Sequence, residues 1–208
     1  MSAITVSQAR QTLRLTDAGQ DALIQALIDA AEDWVEQRCG VSIGEIRRTD
    51  DLDGGGRRLV APIGPLRAVV SLVDRDDPGA TFVEETDYRI SGGALVKLSS
   101  AQWGAWTGGQ EDSAGRWGTG AGRWRLTYDC GYQLPADAPT TTTGAPGETR
   151  HIPLPGAMKA AILSLVRRLY DNRGGAESEA AASWSVDWRA LDVSDMAEML
   201  APYRKGGF

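Results

Sequence analysis

The sequence predicts an α+β fold: a helical core, made of a helix hairpin and a long later helix, with an inserted β-rich region and an extended C-terminal arm. Three observations carry that expectation. Apolar residues recur at helical spacing between Leu23 and Val35 and again between Met158 and Tyr170. Between those stretches lie short runs rich in Val, Leu, Ile and aromatics, separated by Gly, Pro and Asp turns. After Gly174 an Ala/Glu/Ser stretch leads into W-S-V-D-W-R and a last short helical run. The implied organisation is N-terminal core helices over 1–45, the β-rich insertion over 46–154, the core helix over 155–175 and the arm over 176–208.

Thr5 and Gln8 form a T-x-x-Q capping box before a short helix whose inner face is Val6, Ala9 and Leu13. Asp17 and Gln20 offer a second cap of the same kind. The long helix that follows lines up Leu23, Ile24, Leu27, Ile28, Ala31, Trp34 and Val35, keeps Asp29, Glu32, Asp33 and Glu36 off that stripe, and stops at Gly40.

Six strands are expected in the insertion, at 57–61, 66–74, 81–83, 87–90, 94–98 and 123–130. S-G-G at 91–93 joins two of them as a hairpin. Over R-W-R-L-T-Y, Trp124, Leu126 and Tyr128 share one strand face, and Arg123, Arg125 and Thr127 the other. The segments 99–122 and 135–151, rich in Trp/Gly and in Pro/Thr/Gly, lack a period and read as long loops. The helix over Pro153–Gly174 then places Met158, Ile162, Leu165, Val166, Leu169 and Tyr170 on one side, with Arg167, Arg168 and Arg173 near its negative end.

Composition narrows the function. The chain has 208 residues, 42% of them apolar, and a net charge of −6, which disfavours a free-standing DNA-coating protein. Charge is uneven: three basic against seven acidic residues over 1–45, four against one over 155–173, and three against six over 174–208. The acidic positions Asp29, Glu32, Asp33 and Glu36 and the basic Arg167 and Arg168 are therefore candidates for attraction within a subunit or between neighbouring subunits, as register rather than as stability. No run approaches the ~20 apolar residues of a membrane span, and M-S-A-I-T-V-S-Q-A-R lacks a signal-peptide pattern, so a cytoplasmic chain is expected. Cys39 and Cys130 have no ligand spacing and are expected as buried thiols.

Catalytic and cofactor signals are poor. His151 is the single histidine and is expected to be solvated. No P-loop occurs, and Gly118, Gly120 and Gly122 lack the spacing of a dinucleotide site. Asp50, Asp51 and Asp53 read as a solvated acidic turn rather than a cation site. Catalytic residues, cofactors and metals are all expected to be none. Trp34 and Trp124 sit on apolar stripes and are expected in the core. Trp103, Trp106, Trp117, Trp184 and Trp188 lie in segments that cannot bury them unaided, as residues awaiting an interface do. Arg116, Arg123 and Arg125 beside Trp117 and Trp124 would serve nucleic-acid contact, although Glu111 and Asp112 interrupt that patch.

The order of landmarks adds a family resemblance. I-T-V-S-Q-A-R-Q-T-L-R-L and D-A-L-I-Q-A-L-I-D-A-A-E-D-W-V-E are followed by L-V-A-P-I-G-P-L-R-A-V-V-S-L, T-D-Y-R-I and L-T-Y-D-C-G-Y. M-K-A-A-I-L-S-L-V-R-R-L-Y-D-N-R-G and the closing L-A-P-Y-R complete the series. In that order the chain resembles the head–tail connector (adaptor) proteins of long-tailed bacteriophages and related gene-transfer particles, departing from them in the expanded segments 99–122 and 135–151.

The resemblance implies a non-enzymatic structural protein of the virion neck, assembled in the host cytoplasm. It implies a homo-oligomeric ring, usually of twelve subunits, beneath the portal protein, which extends the channel for packaged double-stranded DNA and offers a platform to a stopper or tail protein. Within it the arm 184–208 would reach the portal or a neighbour through Trp184, Trp188, Leu200, Tyr203, Arg204 and Phe208, and Arg116, Arg123 and Arg125 would face the channel. The rival expectations are another neck ring, such as a stopper or tail terminator, and a small DNA-binding packaging factor.

Overall fold

The computed structural model describes residues 2–98, 116–134, 149–172 and 193–204. The chain divides into two compact units, one of residues 1–44, 134–137 and 153–208, the other of residues 45–133 and 138–152. Helices make the first and antiparallel sheets the second, so the α+β class holds.

In the helical unit α1 spans Val6–Leu13, α2 Asp21–Cys39, α3 Gly156–Asp171 and α4 Ser194–Met199, with a 3₁₀ turn over Ala201–Tyr203. The Thr5/Gln8 box forms as its spacing demands: Gln8 N–H donates to Thr5 Oγ1 at 3.2 Å and Thr5 N–H to Gln8 Oε1 at 3.0 Å. The second expected cap does not form. Asp17 Oδ1 instead accepts from the N–H of Gly19 at 3.0 Å, closing a turn, and Gln20 Oε1 accepts the Tyr170 hydroxyl at 2.8 Å. With both side chains engaged elsewhere, α2 begins at Asp21 without a side-chain cap. It ends where expected, on Gly40 at φ +66°, whose N–H reaches the Glu36 carbonyl.

Packing follows the apolar stripes. Ile24, Leu27, Ile28, Ala31, Val35 and Cys39 of α2 and Met158, Ala161, Ile162, Leu165, Val166 and Leu169 of α3 are buried, and the two helices pack on one another and on α1. Burying each Leu or Ile contributes about 1.5–3 kcal/mol, which dwarfs any cap. Trp34, expected in this core, is only half-buried because it lies at the margin of the stripe. No described helix is long and apolar enough to cross a membrane.

The sheet unit holds β1 (Ile46–Leu52), β2 (Arg58–Val60), β3 (Leu66–Asp74), β4 (Tyr88–Ser91), β5 (Ala94–Lys97) and β6 (Trp124–Cys130). They form two antiparallel sheets, ordered β1-β6-β3 and β2-β5-β4. In β6, Trp124, Leu126, Tyr128 and Cys130 point inward and Arg125 outward, as the alternation requires. The β4–β5 hairpin turns on Gly92 and Gly93, both at positive φ (+58° and +76°), which side chains rarely adopt.

Two expectations fail here for physical reasons. Ile46–Leu52 is not among the expected strands, and its Asp50 and Asp51 read as part of a solvated turn, yet it is a strand. It sits at a sheet edge, where charged residues are tolerated, and cross-strand partners hold it: Arg47 on Asp129, Thr49 on Thr127 at 3.0 Å, and Asp51 on Arg125. Conversely 81–83 is no strand. Val83 N–H donates to Asp87 Oδ2 and the Val83 carbonyl accepts from Thr86 and Asp87, so the segment curls before it can pair. Cys39 and Cys130 are buried free thiols, one in each unit.

The centre of the sheet unit is aromatic. Trp117, expected to lie exposed in a glycine-rich loop, is completely buried. Its ring centroid stands 4.9 Å from that of Trp124, edge to face, and its Nε1–H donates to the Leu95 carbonyl at 3.3 Å. The glycines are what let it in. Gly54 lies so close to the Trp117 segment that an added Cβ would fall 1.6 Å from the Gly118 carbonyl oxygen, while Gly55 and Gly56 exchange backbone hydrogen bonds with Trp117.

Candidate assembly interface

The candidate contact residues fall into four sets. On α2, Asp29 and Asp33 are exposed, one turn apart. Glu32 and Glu36 are not comparable, because both are used internally. Glu32 Oε1 accepts from Ser2 Oγ at 2.6 Å and from Ala3 N–H at 2.8 Å, tying down the segment before α1. Glu36 accepts from the N–H of Ile43 and from Ser42 Oγ, tying down the segment after α2. Burial pushes both carboxyls above their ordinary values, against the opposing pull of those hydrogen bonds.

The expected basic partners on α3 are also occupied. Arg167 lies 3.7 Å from Asp171 one turn on, and Arg168 Nη2 lies 2.6 Å from Asp195 of α4. That hydrogen bond holds the Asp195 carboxyl below its usual range and ties α4 to α3. The acidic and basic helix residues are thus spent largely on their own chain; among the described residues Asp33 has no such partner and Asp29 takes only a hydrogen bond from neutral Gln25.

Of the expected arm anchors, Trp184, Trp188 and Phe208 lie outside the described residues. Leu200 is completely buried in the helical unit, beside buried Met196, and Tyr203 and Arg204 are half-buried. The short run after 193 therefore contributes to the core it was expected to leave. Trp103 and Trp106 likewise lie outside the described residues.

The third set, the arginines near Trp117 and Trp124, is divided by its partners. Arg123 donates from Nε and Nη2 to Asp74 at 2.8 and 2.6 Å, lies 3.2 Å from Asp76, and stacks over the Trp124 ring at 5.6 Å. Burial would raise the Asp74 carboxyl, but the Arg123 hydrogen bonds and the N–H groups of Asp76 and Asp77 outweigh it and hold it low. Arg125 is bidentate on Asp51, which Arg75 also approaches at 3.3 Å. The hydrogen bond from Arg125 leads in holding the Asp51 carboxyl low. Arg116 is exposed. Asp50, Asp51 and Asp53 do not form the expected solvated turn: Asp50 takes the Tyr128 hydroxyl at 2.8 Å, Asp51 its arginines, and Asp53 the Gly122 N–H at 2.7 Å.

A fourth set escaped the sequence, the polar groups around residues 149–152. Arg67, 2% exposed, reaches Glu45 and donates to the Arg150 carbonyl at 2.8 Å; Arg150 in turn reaches Glu84. These links join residues far apart in sequence, so no local pattern marks them. His151 is half-buried next to them, its Nδ1 buried with no hydrogen-bond partner among the described residues. No group of three or more His, Cys, Asp or Glu among the described residues is placed to hold a metal ion. What the geometry offers is charge and contact surface.

Comparison with known proteins points the same way. Residues 3–64 match the model of the family described as Phage gp6-like head-tail connector protein, a stretch that takes in α1, α2 and the first two strands. The resemblance read from the sequence is thus found again independently.

The whole fold is similar to subunits of three solved particles. A chain of the "Neck of empty GTA particle computed with C6 symmetry" is 18% identical over 99% of this chain and 91% of that one, with a TM-score of 0.56. Chains of the "Virion of native gene transfer agent (GTA) particle" (17% identical, TM-score 0.55) and of the "Neck of native GTA particle computed with C12 symmetry" (18%, 0.52) match over the same shares. No curated protein matches the chain.

Proposed function

We propose that this chain is a structural, non-enzymatic subunit of a virion neck: a head–tail connector (adaptor) that closes into a ring of twelve copies below the portal. The observation that carries this is the coincidence of two likenesses. The connector family model covers 3–64, and neck subunits of gene-transfer particles share the fold over 99% of the chain. Twelve copies satisfy both symmetries named for those necks, since a twelve-fold ring also has six-fold symmetry. In this reading the ring lengthens the passage for packaged double-stranded DNA, offers a platform to a stopper or tail protein, and is assembled in the host cytoplasm.

The charge pattern supports a passage that does not grip its cargo. Placed toward the channel, Arg123 and Arg125 bring their aspartates with them, and Arg116 alone of the three adds charge with no carboxylate partner among the described residues. For the portal contact, Trp184, Trp188 and Phe208, with half-buried Tyr203 and Arg204, are the anchors. Leu200 serves by seating the turn that carries Tyr203 and leads into Arg204.

Electron microscopy of particles from cells lacking this chain tests the reading. Filled heads without tails, restored to tailed particles when the chain is supplied, are expected. Normal tails, or a labelled chain found away from the neck, overturn it. Deleting all of 184–208 is a poor probe of portal binding, since it also removes Met196 and Leu200 from the core. Replacing Trp184 and Trp188 by alanine keeps Met196 and Leu200 in the chain and is expected to release it from the portal.

A further inference from the structure

We infer that neighbouring copies in the ring meet through Arg58 and Arg89, on the outward face of the β2-β5-β4 sheet of one copy, and Asp29 and Asp33, on α2 of the next. The inference deepens the ring reading proposed above and rests on it. Its starting point is how cations are partnered in the sheet unit. The arginines of β1, β3 and β6, with Arg75, Arg123 and Arg150, all lie against carboxylates. Arg57 and Arg116, outside the strands, have no carboxylate partner among the described residues, and within the strands neither do Arg58 and Arg89. These two strand arginines are exposed, and Arg58 donates only to the Ser91 carbonyl, at 3.3 Å.

Their placement makes them a pair. Arg58 of β2 and Arg89 of β4 flank the same residue, Val96 of β5, on the side opposite buried Leu59, Leu95 and Tyr88. Two strand spacings put their Cα atoms about 10 Å apart, close enough for two long side chains to converge on one target. Leaving two guanidiniums unpaired side by side is unusual in a chain of net charge −6, where the other sheet neutralises its own.

The complement is on the same chain. Asp29 and Asp33 stand one turn apart on the exposed side of α2; Asp29 accepts only from the neutral Gln25 Nε2 at 2.7 Å, and Asp33 has no cation partner among the described residues. Like charges at that spacing disfavour a helix, and an arriving pair of cations removes the penalty. Because one surface belongs to the sheet unit and the other to the helical unit, the contact is heterologous, the kind that repeats head to tail and closes a ring. Double-stranded DNA is the weaker candidate for the two arginines, since the chain's net charge repels it.

The test uses charge reversal in the full chain, in cells making whole particles, with tailed particles counted by electron microscopy. Arg58→Glu with Arg89→Glu, and separately Asp29→Arg with Asp33→Arg, are each expected to lower tailed-particle yield by about tenfold or more, because close interfacial charge pairs couple at least that strongly. All four changes together restore the yield. So does making the two reversed chains side by side, since each carries the surface the other lacks and an even ring can alternate them. Unchanged circular dichroism of each isolated variant excludes misfolding of these exposed sites. Reversals without effect, or four changes no better than two, overturn the inference while the ring reading stands. Loss from the arginine reversal alone, with a matching loss of salt-sensitive affinity for duplex DNA, overturns it in favour of DNA. Absence of the unaltered chain from the neck overturns the ring reading itself.

Discussion

Replacing Trp117 by alanine is the most severe single test of the aromatic core. The side chain is completely buried, its ring meets those of Trp124, Phe82 and Tyr88 at 4.9, 6.2 and 6.4 Å, and its Nε1–H is satisfied by the Leu95 carbonyl. A Trp buries about 150–250 Å², worth about 4–6 kcal/mol at about 25 cal/mol per Å² against a fully extended chain. Measured truncations of buried Phe or Trp run about 3–5 kcal/mol, so about 4 is expected here. With a denaturant slope of about 2 kcal/mol/M, the urea midpoint falls by about 2 M at unchanged slope. Trp117→Phe keeps most of the ring contact and loses the hydrogen bond to Leu95, which predicts a cost of about 1–2 kcal/mol. Unfolding followed by far-ultraviolet circular dichroism reads both. An alanine variant within about 1 kcal/mol of the parent, or a phenylalanine variant as damaged as alanine, refutes the assignment of Trp117 to the core.

Gly54→Ala puts a Cβ within 2.7 Å of Trp124 Nε1 and 1.6 Å of the Gly118 carbonyl, both poorly able to move. A loss of about 1–3 kcal/mol or more is expected in the same urea assay. Leu200→Ala, at a fully buried site in the helical unit, should cost about 2–5 kcal/mol of stability, whereas a residue waiting for a partner would cost almost none in the isolated chain. Acid separates two carboxylates by sign. The folded-state pKa of Asp74 is below the ordinary 3.8, so its contribution is complete above 3.8 and is lost as pH falls through the lower folded value. Asp74→Asn should flatten that acid limb when thermal unfolding is followed against pH. Glu36 is raised above its ordinary 4.5, so protonation adds stability as pH falls through the folded value toward 4.5. Glu36→Gln keeps an acceptor for Ile43, abolishes that rise, and should change stability at neutral pH by no more than about 1 kcal/mol.

Local chemistry explains what was legible. The Thr5/Gln8 box, the Gly40 stop, the apolar stripes of α2 and α3 and the Gly92–Gly93 hairpin each depend on residues a few positions apart, so spacing alone specifies them. The failures share the opposite trait. β1 is held by β6, more than seventy residues later, and its own polar residues argue against a strand until Arg125 and Asp129 are set beside it. Asp17 and Gln20 satisfy the cap pattern, but a partner 150 residues away claims Gln20.

By itself, then, the amino-acid order determined the α+β class, the apolar stripes of α2 and α3, the Thr5/Gln8 cap and Gly40 stop, the inward face of β6 and the connector resemblance, because periodicity and capping act over one or two turns of chain. Only the folded molecule decided that Trp117 is core rather than an exposed anchor, that Leu200 stays with its own helices, and that Glu32, Glu36, Arg167 and Arg168 are already taken. It also decided which charges remain unpaired among the described residues. Whether a charge meets its opposite depends on distances across the fold, and a linear sequence carries no record of those.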